Sequence, residues 1–600
     1  MVEVKQKEKE LRIAFFGESV AYGFLLAPHF TPSSYLEKRL AMGCGRKVTV
    51  LDETKVSIRM KELCERFTKV DASTLDMAIV FTGNNWRKDF WNVEDATYKE
   101  MLDTISKGRK WDSVFQQKFQ EWMDQRVQEF FDEVKKTFCD QGVPVLFIIP
   151  ECNLRNWGYN YYETTSNWPT VATEKLIEKK DWDNLSVEIA EQMIKEDPTN
   201  PLGYFYCAKQ FDKAGETNKA FDYYRQALNT NIFRLGPPPA INDYIRSSII
   251  KAEKDDSIEI LDLRQEFNHI TEGEIAGNQY FIDYCHLSVD GIMKTCNRAA
   301  VMISNKLSLA YQDEYDRNAL LPRDEVVSNS YFYAALHSCH SGNLDSEYLE
   351  YLLQEAIRYN EAITQKMIDF VHLAYTKTPW RLNEEYLKIS SSQYPTIRQP
   401  EDCMVMDKEL VDVMVQVLES HGISIQCEAE KLRLENYGVR YGCGRDLLET
   451  YYRESSYFNT FLDSKSIDYD SNKLSYCAFR NPYAMFYLVS ETNQKILVEM
   501  VARSPYLKQD KEFVVRCNNQ IVFTGMLQPE WAKYTFCIES KDLNASGMNE
   551  LIIDWPHICG EDSKMQAKIE EENYSFYDKF INRMRPIYGE LYRLDVAVKQ

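Results

Sequence analysis

The sequence predicts a multidomain α/β protein, and three observations carry that expectation. Early apolar runs end in turns that hold polar, chemistry-bearing residues, as in open sheets whose strand ends face a ligand. Stretches of helical period separate those runs and continue through the middle of the chain. Towards the carboxyl end the apolar period switches to that of strands. At 600 residues the chain is too long for one ordinary core, so roughly three or four domains are expected.

Five segments of the first lobe read as parallel strands: Leu11–Phe16, Lys47–Leu51, Leu75–Phe81, Val143–Ile149 and Ser257–Leu261. Thr31-Pro32 has the form of an N-cap followed by a first helical residue, and Tyr35, Leu36 and Leu40 then make one apolar face. Phe115 to Phe138 repeats apolar and aromatic residues at helical spacing, a long helix before the fourth strand. Three strand ends stand out. The first run leads into Gly17-Glu18-Ser19, with Gly23 shortly after, and presents a hydroxyl at the sheet edge. The third ends in Gly83-Asn84-Asn85-Trp86, where an asparagine amide can donate to a developing oxyanion. Near residue 283, the spacing Asp283-x-x-His286 lets a carboxylate fold back onto an imidazole and fix its tautomer.

Together, these blocks resemble the SGNH/GDSL hydrolase family, in order and in strand-end placement, over roughly residues 10–165 and 245–310. The resemblance implies a flavodoxin-like α/β/α lobe with a five-stranded parallel sheet, and ester or acyl chemistry without a cofactor or metal. It implies Ser19 as nucleophile, His286 as base and Asp283 as its orienting carboxylate. The oxyanion would be held by the Ser19 N–H, the Asn85 amide and a backbone N–H from the loop after the second strand. That loop, Asp52 to Ile58, lacks the family's glycine, and Ser57 is the candidate for its place. Two further departures are Glu18, where the family has Asp, and Trp86, where Asp usually follows the asparagine. Gly83, Trp86 and Asn153, the last in the loop after Pro150, are the candidate substrate-contacting residues. Water as acceptor would make an esterase or thioesterase, and an alcohol or amine an acyltransferase. A scaffold with a degenerate hydrolase lobe is the alternative from another class.

Ser19 and His286 lie 267 positions apart, which calls for an insertion. Asp181 to Asn231 reads as paired helices, with Asn200 to Ala208 opening one, Gly215 at a turn, and Ala220, Phe221, Tyr224 and Ala227 lining the next. This resembles a tetratricopeptide repeat, and such helices offer a surface for a protein partner; one or two repeats cannot bury a solenoid core and must dock elsewhere. Residues 313–470 read as helical. Strands are expected over Lys495–Ala502, Glu512–Arg516, Gln520–Thr524, Lys533–Ile538 and Glu550–Trp555, with Asn518-Asn519 as a hairpin turn. The segments from Trp531 to Phe536 and from Gly547 to Pro556 are similar to the last strands of galactose-binding-like β-sandwiches. A helix is expected from Glu561 to Tyr592. The expected boundaries are 1–165 with 245–312 for the α/β lobe, 166–244 for the insertion, 313–470 for the helical domain and 471–600 for the antiparallel β-sandwich with its terminal helix.

A formal charge of −21 with no basic stripe argues against nucleic acid as a main partner. No run is long and apolar enough to span a bilayer. Fifteen scattered cysteines, without paired C-x-x-C spacing, and a polar start from Met1 to Glu10 that lacks a secretory apolar core suit a reducing, cytoplasmic setting. His337 and His340 lie three apart on an expected helix, but no third metal ligand is close in sequence. The substrate class expected from these features is an acyl ester or thioester, such as an acyl group on a carrier.

Overall fold

The computed structural model describes residues 10–86, 113–158, 185–230, 240–340, 345–376, 408–450, 465–467, 475–556 and 588–599, apart from short gaps within them. The chain is a multidomain α/β protein that divides into two compact units. One comprises Met1–Gly158, Ser186–Glu191 and Pro201–Ala334; the other comprises the remaining residues.

All five expected strands of the first unit are present: β1 (Leu11–Gly17), β2 (Val48–Thr54), β3 (Met77–Phe81), β4 (Val145–Ile149) and β5 (Ile258–Asp262). They form one parallel sheet in the order β2-β1-β3-β4-β5. This is the doubly wound flavodoxin-like order, in which the connection reverses between β1 and β3 and leaves a crevice at the carboxyl ends. Side chains alternate across each strand, and both faces are buried. On one face Ile13, Phe15, Ile79 and Ile148 pack with Tyr35, Leu36 and Leu40 of helix Pro32–Cys44 and with Ile292, Cys296 and Ile303 of helix Val289–Lys306. On the other, Phe16, Phe67, Phe130, Phe138 and Phe147 form a run of edge-to-face and tilted rings, fed by the long helix Ser113–Thr137.

Gly17 is required by close approach rather than by backbone conformation. A Cβ there would sit 2.2 Å from the Phe81 carbonyl oxygen and 2.4 Å from the Ala21 Cβ. Another constraint lies beneath helix Pro32–Cys44. The Arg39 side chain is fully buried and stacks over Tyr315 (4.1 Å) and Tyr311 (4.8 Å). It donates from Nη2 to the Asp313 carbonyl and carboxylate at 2.7 Å each, and from Nε to Asn297 at 3.2 Å. The segment after helix Val289–Lys306 is thereby strapped back across the lobe.

The insertion contributes helices Pro201–Lys213 and Thr217–Thr230, with Gly215 at φ +75° between them, as the helical period anticipates. Helix Asp243–Ala252 follows and packs on Ser113–Thr137, where Gln120 donates to the Ser248 hydroxyl at 2.8 Å. Charged side chains tie these helices to the ends of β4 and β5. Asp243 accepts from Arg225 (2.6 Å) and Asn229 (2.8 Å) of the insertion and from Arg264 (2.5 Å) beyond β5. Arg264 also reaches the fully buried Glu151 at 3.2 Å, and Arg246 pairs with Asp262 and donates to the Pro150 carbonyl at 3.0 Å. Burial pulls the Arg246 pKa down to about 10. At Asp243 burial acts to raise the pKa, but Arg264, Arg225 and Asn229 outweigh it and hold the carboxyl at about 2.

In the second unit, Ser346–Tyr359, Ile363–Thr376, Lys408–Ser420 and Gln426–Tyr437 are helices, in line with the helical reading of this region. The last part is antiparallel. One sheet orders Ala532–Ile538, Ile496–Arg503, Gly589–Val598, Ser475–Phe479 and Lys465–Ile467; the other orders Gln520–Leu527, Lys511–Cys517, Met548–Asp554 and Tyr483–Val489. Val498, Met500, Phe486, Val515, Ile553 and Leu594 share their core. Asn518 and Asn519 both have positive φ (49° and 67°), the backbone of the anticipated tight hairpin turn. The expected helix from Glu561 to Tyr592 lies outside the described residues up to 587. Its end is corrected: from Gly589 the chain is a strand, hydrogen-bonded on one side to Ile496–Arg503 and on the other to Ser475–Phe479, with Leu594 and Val596 turned inward.

Two stability outcomes follow from these contacts. Gly17→Ala should cost about 1–3 kcal/mol through overpacking against Phe81 and Ala21, read as a lowered thermal midpoint. The Asp243 pKa is lower folded than unfolded, so its contribution is complete above the unfolded value near 4 and is lost as pH falls towards about 2. Across that window the wild type should lose about 2 kcal/mol more than Asp243→Asn, measured by urea unfolding at a series of pH values.

Candidate active site

The site assembles where the carboxyl ends of β1 and β3 meet the loop that precedes helix Val289–Lys306. Ser19 is the first residue of a short helix, Ser19–Tyr22, which follows Glu18 in extended conformation and closes at Gly23 in the left-handed conformation (φ 79°). The first N–H groups of a helix lack intrahelical acceptors, and that of Ser19 is one of them. The loop carrying His286 closes on itself like a small hairpin. Ile282 N donates to the His286 carbonyl (2.9 Å), Ser288 N to the Tyr280 carbonyl (2.9 Å), and the Ser288 hydroxyl caps the helix that follows by accepting from Gly291 N at 3.1 Å. Gly291 has no alternative there, because a Cβ would lie 2.2 Å from the Tyr280 oxygen.

Ser19, Asp283 and His286 are brought together. Asp283 is fully buried; its Oδ1 accepts from the backbone N–H groups of Cys285 (2.9 Å) and His286 (2.7 Å), which leaves Oδ2 aimed at His286 Nδ1 at 2.5 Å. With the proton on Nδ1, His286 Nε2 accepts from the Ser19 hydroxyl at 2.8 Å. The imidazole is held between Phe24 (4.5 Å between ring centroids) and Tyr284 (5.4 Å), and Trp157 packs behind Tyr284 at 5.3 Å. Asp283, Cys285 and His286 also offer metal-capable atoms within 4.8 Å of one another, but the carboxylate is already spent on two N–H groups and the imidazole.

The other two loops converge on the same place. Lys55 N donates to the Gly17 carbonyl at 3.0 Å, and the Asn85 amide Nδ2 donates to the Ile58 carbonyl at 3.2 Å. Ser57, next to Ile58, has φ +58°, a left-handed backbone that glycine adopts without strain and that this loop achieves without one. Gly83, at φ +141°, occupies a region closed to most side chains. Asn84 is buried; its Oδ1 accepts from Ile241 N at 3.2 Å, and its Nδ2 has no hydrogen-bond partner among the described residues.

Glu18 has a role that its departure from the family pattern hides. Its buried carboxylate accepts from the Thr82 hydroxyl (2.6 Å), from Asn85 N (2.9 Å) and from Gly83 N (3.4 Å), so it clamps the Thr82–Asn85 turn to the turn that carries Ser19. Trp86 is corrected as a substrate-contacting residue. It is fully buried, donates from Nε1 to Thr82 Oγ1 at 3.1 Å, and packs against Phe130 (5.0 Å) and Phe147 (6.2 Å) beneath the site. Asn153 is likewise committed to scaffolding: its Nδ2 donates to Asn278 Oδ1 at 3.0 Å, and its Oδ1 accepts from Asn156 N at 3.0 Å. Glu18 and Trp86, two of the departures noted in the sequence, thus hydrogen-bond and pack beneath the Ser19–His286–Asp283 array.

No family model matches this chain, and no curated protein matches it in sequence. Among solved structures, the lipase Lip_vut3 from a goat rumen metagenome aligns with 48% of this chain and 97% of its own, at 10% identity and a TM-score of 0.22. A family GH115 4-O-methyl-α-glucuronidase aligns with 98% of this chain and 81% of its own, at 8% identity and a TM-score of 0.17. Neither likeness is close enough to bear on what this chain does.

The Glu18 clamp generates its own test. Glu18→Gln replaces an acceptor oxygen with an N–H₂ facing backbone donors, and should slow covalent modification of Ser19 by a fluorophosphonate at least about tenfold by displacing Asn85. Modification at the wild-type rate in a folded Glu18→Gln protein would mean that the clamp does not set the position of Asn85.

Proposed function

We propose that the α/β lobe is an SGNH-type serine hydrolase or acyltransferase that works through an acyl-Ser19 intermediate. The observation that carries this reading is the continuous hydrogen-bonded array Asp283–His286–Ser19, with heavy-atom distances of 2.5 and 2.8 Å. As Ser19 Oγ attacks an ester or thioester carbonyl, its proton passes to His286 Nε2. Asp283 stabilises the imidazolium through Nδ1–H, and the same proton then leaves with the alcohol or thiol. The negative charge on the carbonyl oxygen is met by the Ser19 N–H, the Ser57 N–H and the Asn85 amide. An amide has two N–H donors, and with one spent on Ile58 the second serves the oxyanion. In the return half-reaction His286 takes a proton from water, or from an acceptor alcohol or amine, whose oxygen or nitrogen attacks the acyl carbon; His286 then gives that proton to Ser19 Oγ as the acyl–Oγ bond breaks, which restores the free hydroxyl and neutral imidazole.

The substrate class we favour is an acyl ester or thioester of a specialised metabolite or carrier in a cytoplasmic setting. The buried aromatic walls Phe24 and Tyr284 around His286 give the reacting centre an environment in which hydrogen bonds to the oxyanion count for more than in water.

Intact-mass measurement after exposure to a fluorophosphonate should show one adduct, mapped to Ser19. Ser19→Ala should remove it, and His286→Ala should slow its formation by about 10³-fold or more. Wild-type protein labelled no better than Ser19→Ala would refute the serine-enzyme reading. Incubation with a panel of acyl thioesters and esters then reads the donor from the adduct mass, and its decay in water or with added amines and alcohols separates hydrolysis from transfer.

A further inference from the structure

We propose that Asp212, in the helical insertion, is a positioning residue for His286, so that the insertion is a working part of the site rather than an appended module. This inference rests on the serine-enzyme reading given above. Asp212 lies in the last turn of helix Pro201–Lys213 and takes the Arg155 guanidinium in a two-pronged pair, Nε to Oδ2 at 2.7 Å and Nη2 to Oδ1 at 2.6 Å. Tyr224, from the second insertion helix, donates its hydroxyl to the same carboxylate at 3.4 Å. A forked guanidinium–carboxylate pair fixes orientation as well as distance.

Arg155 sits in the loop that follows β4, and that loop is zipped to the segment bearing the triad. Leu154 N and Arg155 N both donate to the Ala276 carbonyl at 3.1 Å, and Asn153 N donates to the Tyr284 carbonyl at 2.8 Å. Asn278 N donates to Asn156 Oδ1 at 2.9 Å, closing a second side-chain link beside the Asn153–Asn278 bond. Tyr284 lies between Asp283 and Cys285 and packs its ring on His286. A path of direct contacts thus runs from Asp212 through Arg155 and the 153–156 backbone to the residue that neighbours both members of the carboxylate–imidazole pair. The same loop is held at its start by Arg246 on Pro150 and by Arg264 on Glu151. Loss of the Asp212 grip leaves those anchors in place, so the expected defect is local: a tilt of His286 rather than unfolding. The Arg155 side chain is 37% exposed, so its guanidinium keeps contact with water when Asp212 is neutralised, and an asparagine still offers it an acceptor oxygen; a catalytic defect larger than any stability defect is therefore the distinguishing signature.

The test uses the full chain and the fluorophosphonate as probe, with the thermal midpoint measured in parallel. Asp212→Asn and Arg155→Lys should each reduce the rate of Ser19 labelling about tenfold, with midpoints within a few degrees of the wild type. Asp212→Glu, which keeps the charge and the fork, should recover most of the rate. A labelling rate equal to wild type in Asp212→Asn overturns the proposal, as does a rate loss that tracks a falling midpoint across all three variants. A second readout needs no catalysis: amide hydrogen exchange of the 276–288 segment should speed up about tenfold in Asp212→Asn. If wild-type Ser19 is not labelled at all, the serine-enzyme reading fails first, and unchanged exchange in Asp212→Asn separately refutes the positioning role.

Discussion

The contact between the Ser19 hydroxyl and His286 Nε2 joins residues 267 positions apart, and the first unit is arranged so that this contact forms. Parallel strand order places the Glu18-Ser19 turn and the Gly83–Asn85 turn side by side at the switch point, where β1 and β3 are neighbours but are connected through β2. Gly17 lets β1 approach the end of β3 without a side chain in the way, and Glu18 then bonds one turn to the other. The imidazole arrives from beyond β5, on a loop whose shape is set by Asp283 accepting two backbone N–H groups. A carboxylate so occupied has little freedom to rotate, and the imidazole direction is settled with it.

Much of this was legible in the sequence, and the reason is that the informative signals are local. Each apolar run stops at a turn, and the helical faces around Tyr35 and Ala220 follow from period alone. The spacing of Asp283 and His286 is enough to bring them together, because a carboxylate three residues upstream can bond the backbone of the same tight loop. The departures come where partners are distant. Trp86 reads as a pocket wall because it follows an oxyanion-type asparagine, yet Phe130 and Phe147, contributed by other elements, offer it a floor. Asn153 reads as a polar pocket residue, but Asn278, 125 positions on, takes its amide. Gly589–Val598 carries a strand alternation only in its second half, with Leu594 and Val596 set against Arg593 and Asp595; the expected helix overran its start, where the strand is fixed by pairing with segments about ninety and more positions upstream.

The charged side chains at the ends of β4 and β5 show how a helical insertion becomes part of an α/β lobe. Two antiparallel helices cannot close a core by themselves. Here Asp243 stands between Arg225 of the insertion and Arg264 of the lobe, and Glu151 and Asp262 continue the alternation of sign inward to Arg246. At the inner end, where Glu151 is fully buried and Arg246 nearly so, removing one charge strands the other away from water, which is more costly than the pair is stabilising. The arrangement favours one docking of the helices over slipped alternatives, since a shift of one turn would set like charges together.

The Arg39 sandwich has a practical consequence for anyone who wishes to dissect this polypeptide. A guanidinium enclosed by Tyr311, Tyr315 and the Asp313 carbonyl belongs to the lobe, although its ring neighbours come after helix Val289–Lys306. A fragment terminated just past Lys306 would strip both rings from Arg39, leave a bare cation under helix Pro32–Cys44, and uncover Gly43, whose surface Tyr311 covers at close range. Truncation should therefore retain the residues through Ala334, where the first compact unit ends, since Leu320 and Val326 both close the same apolar cluster.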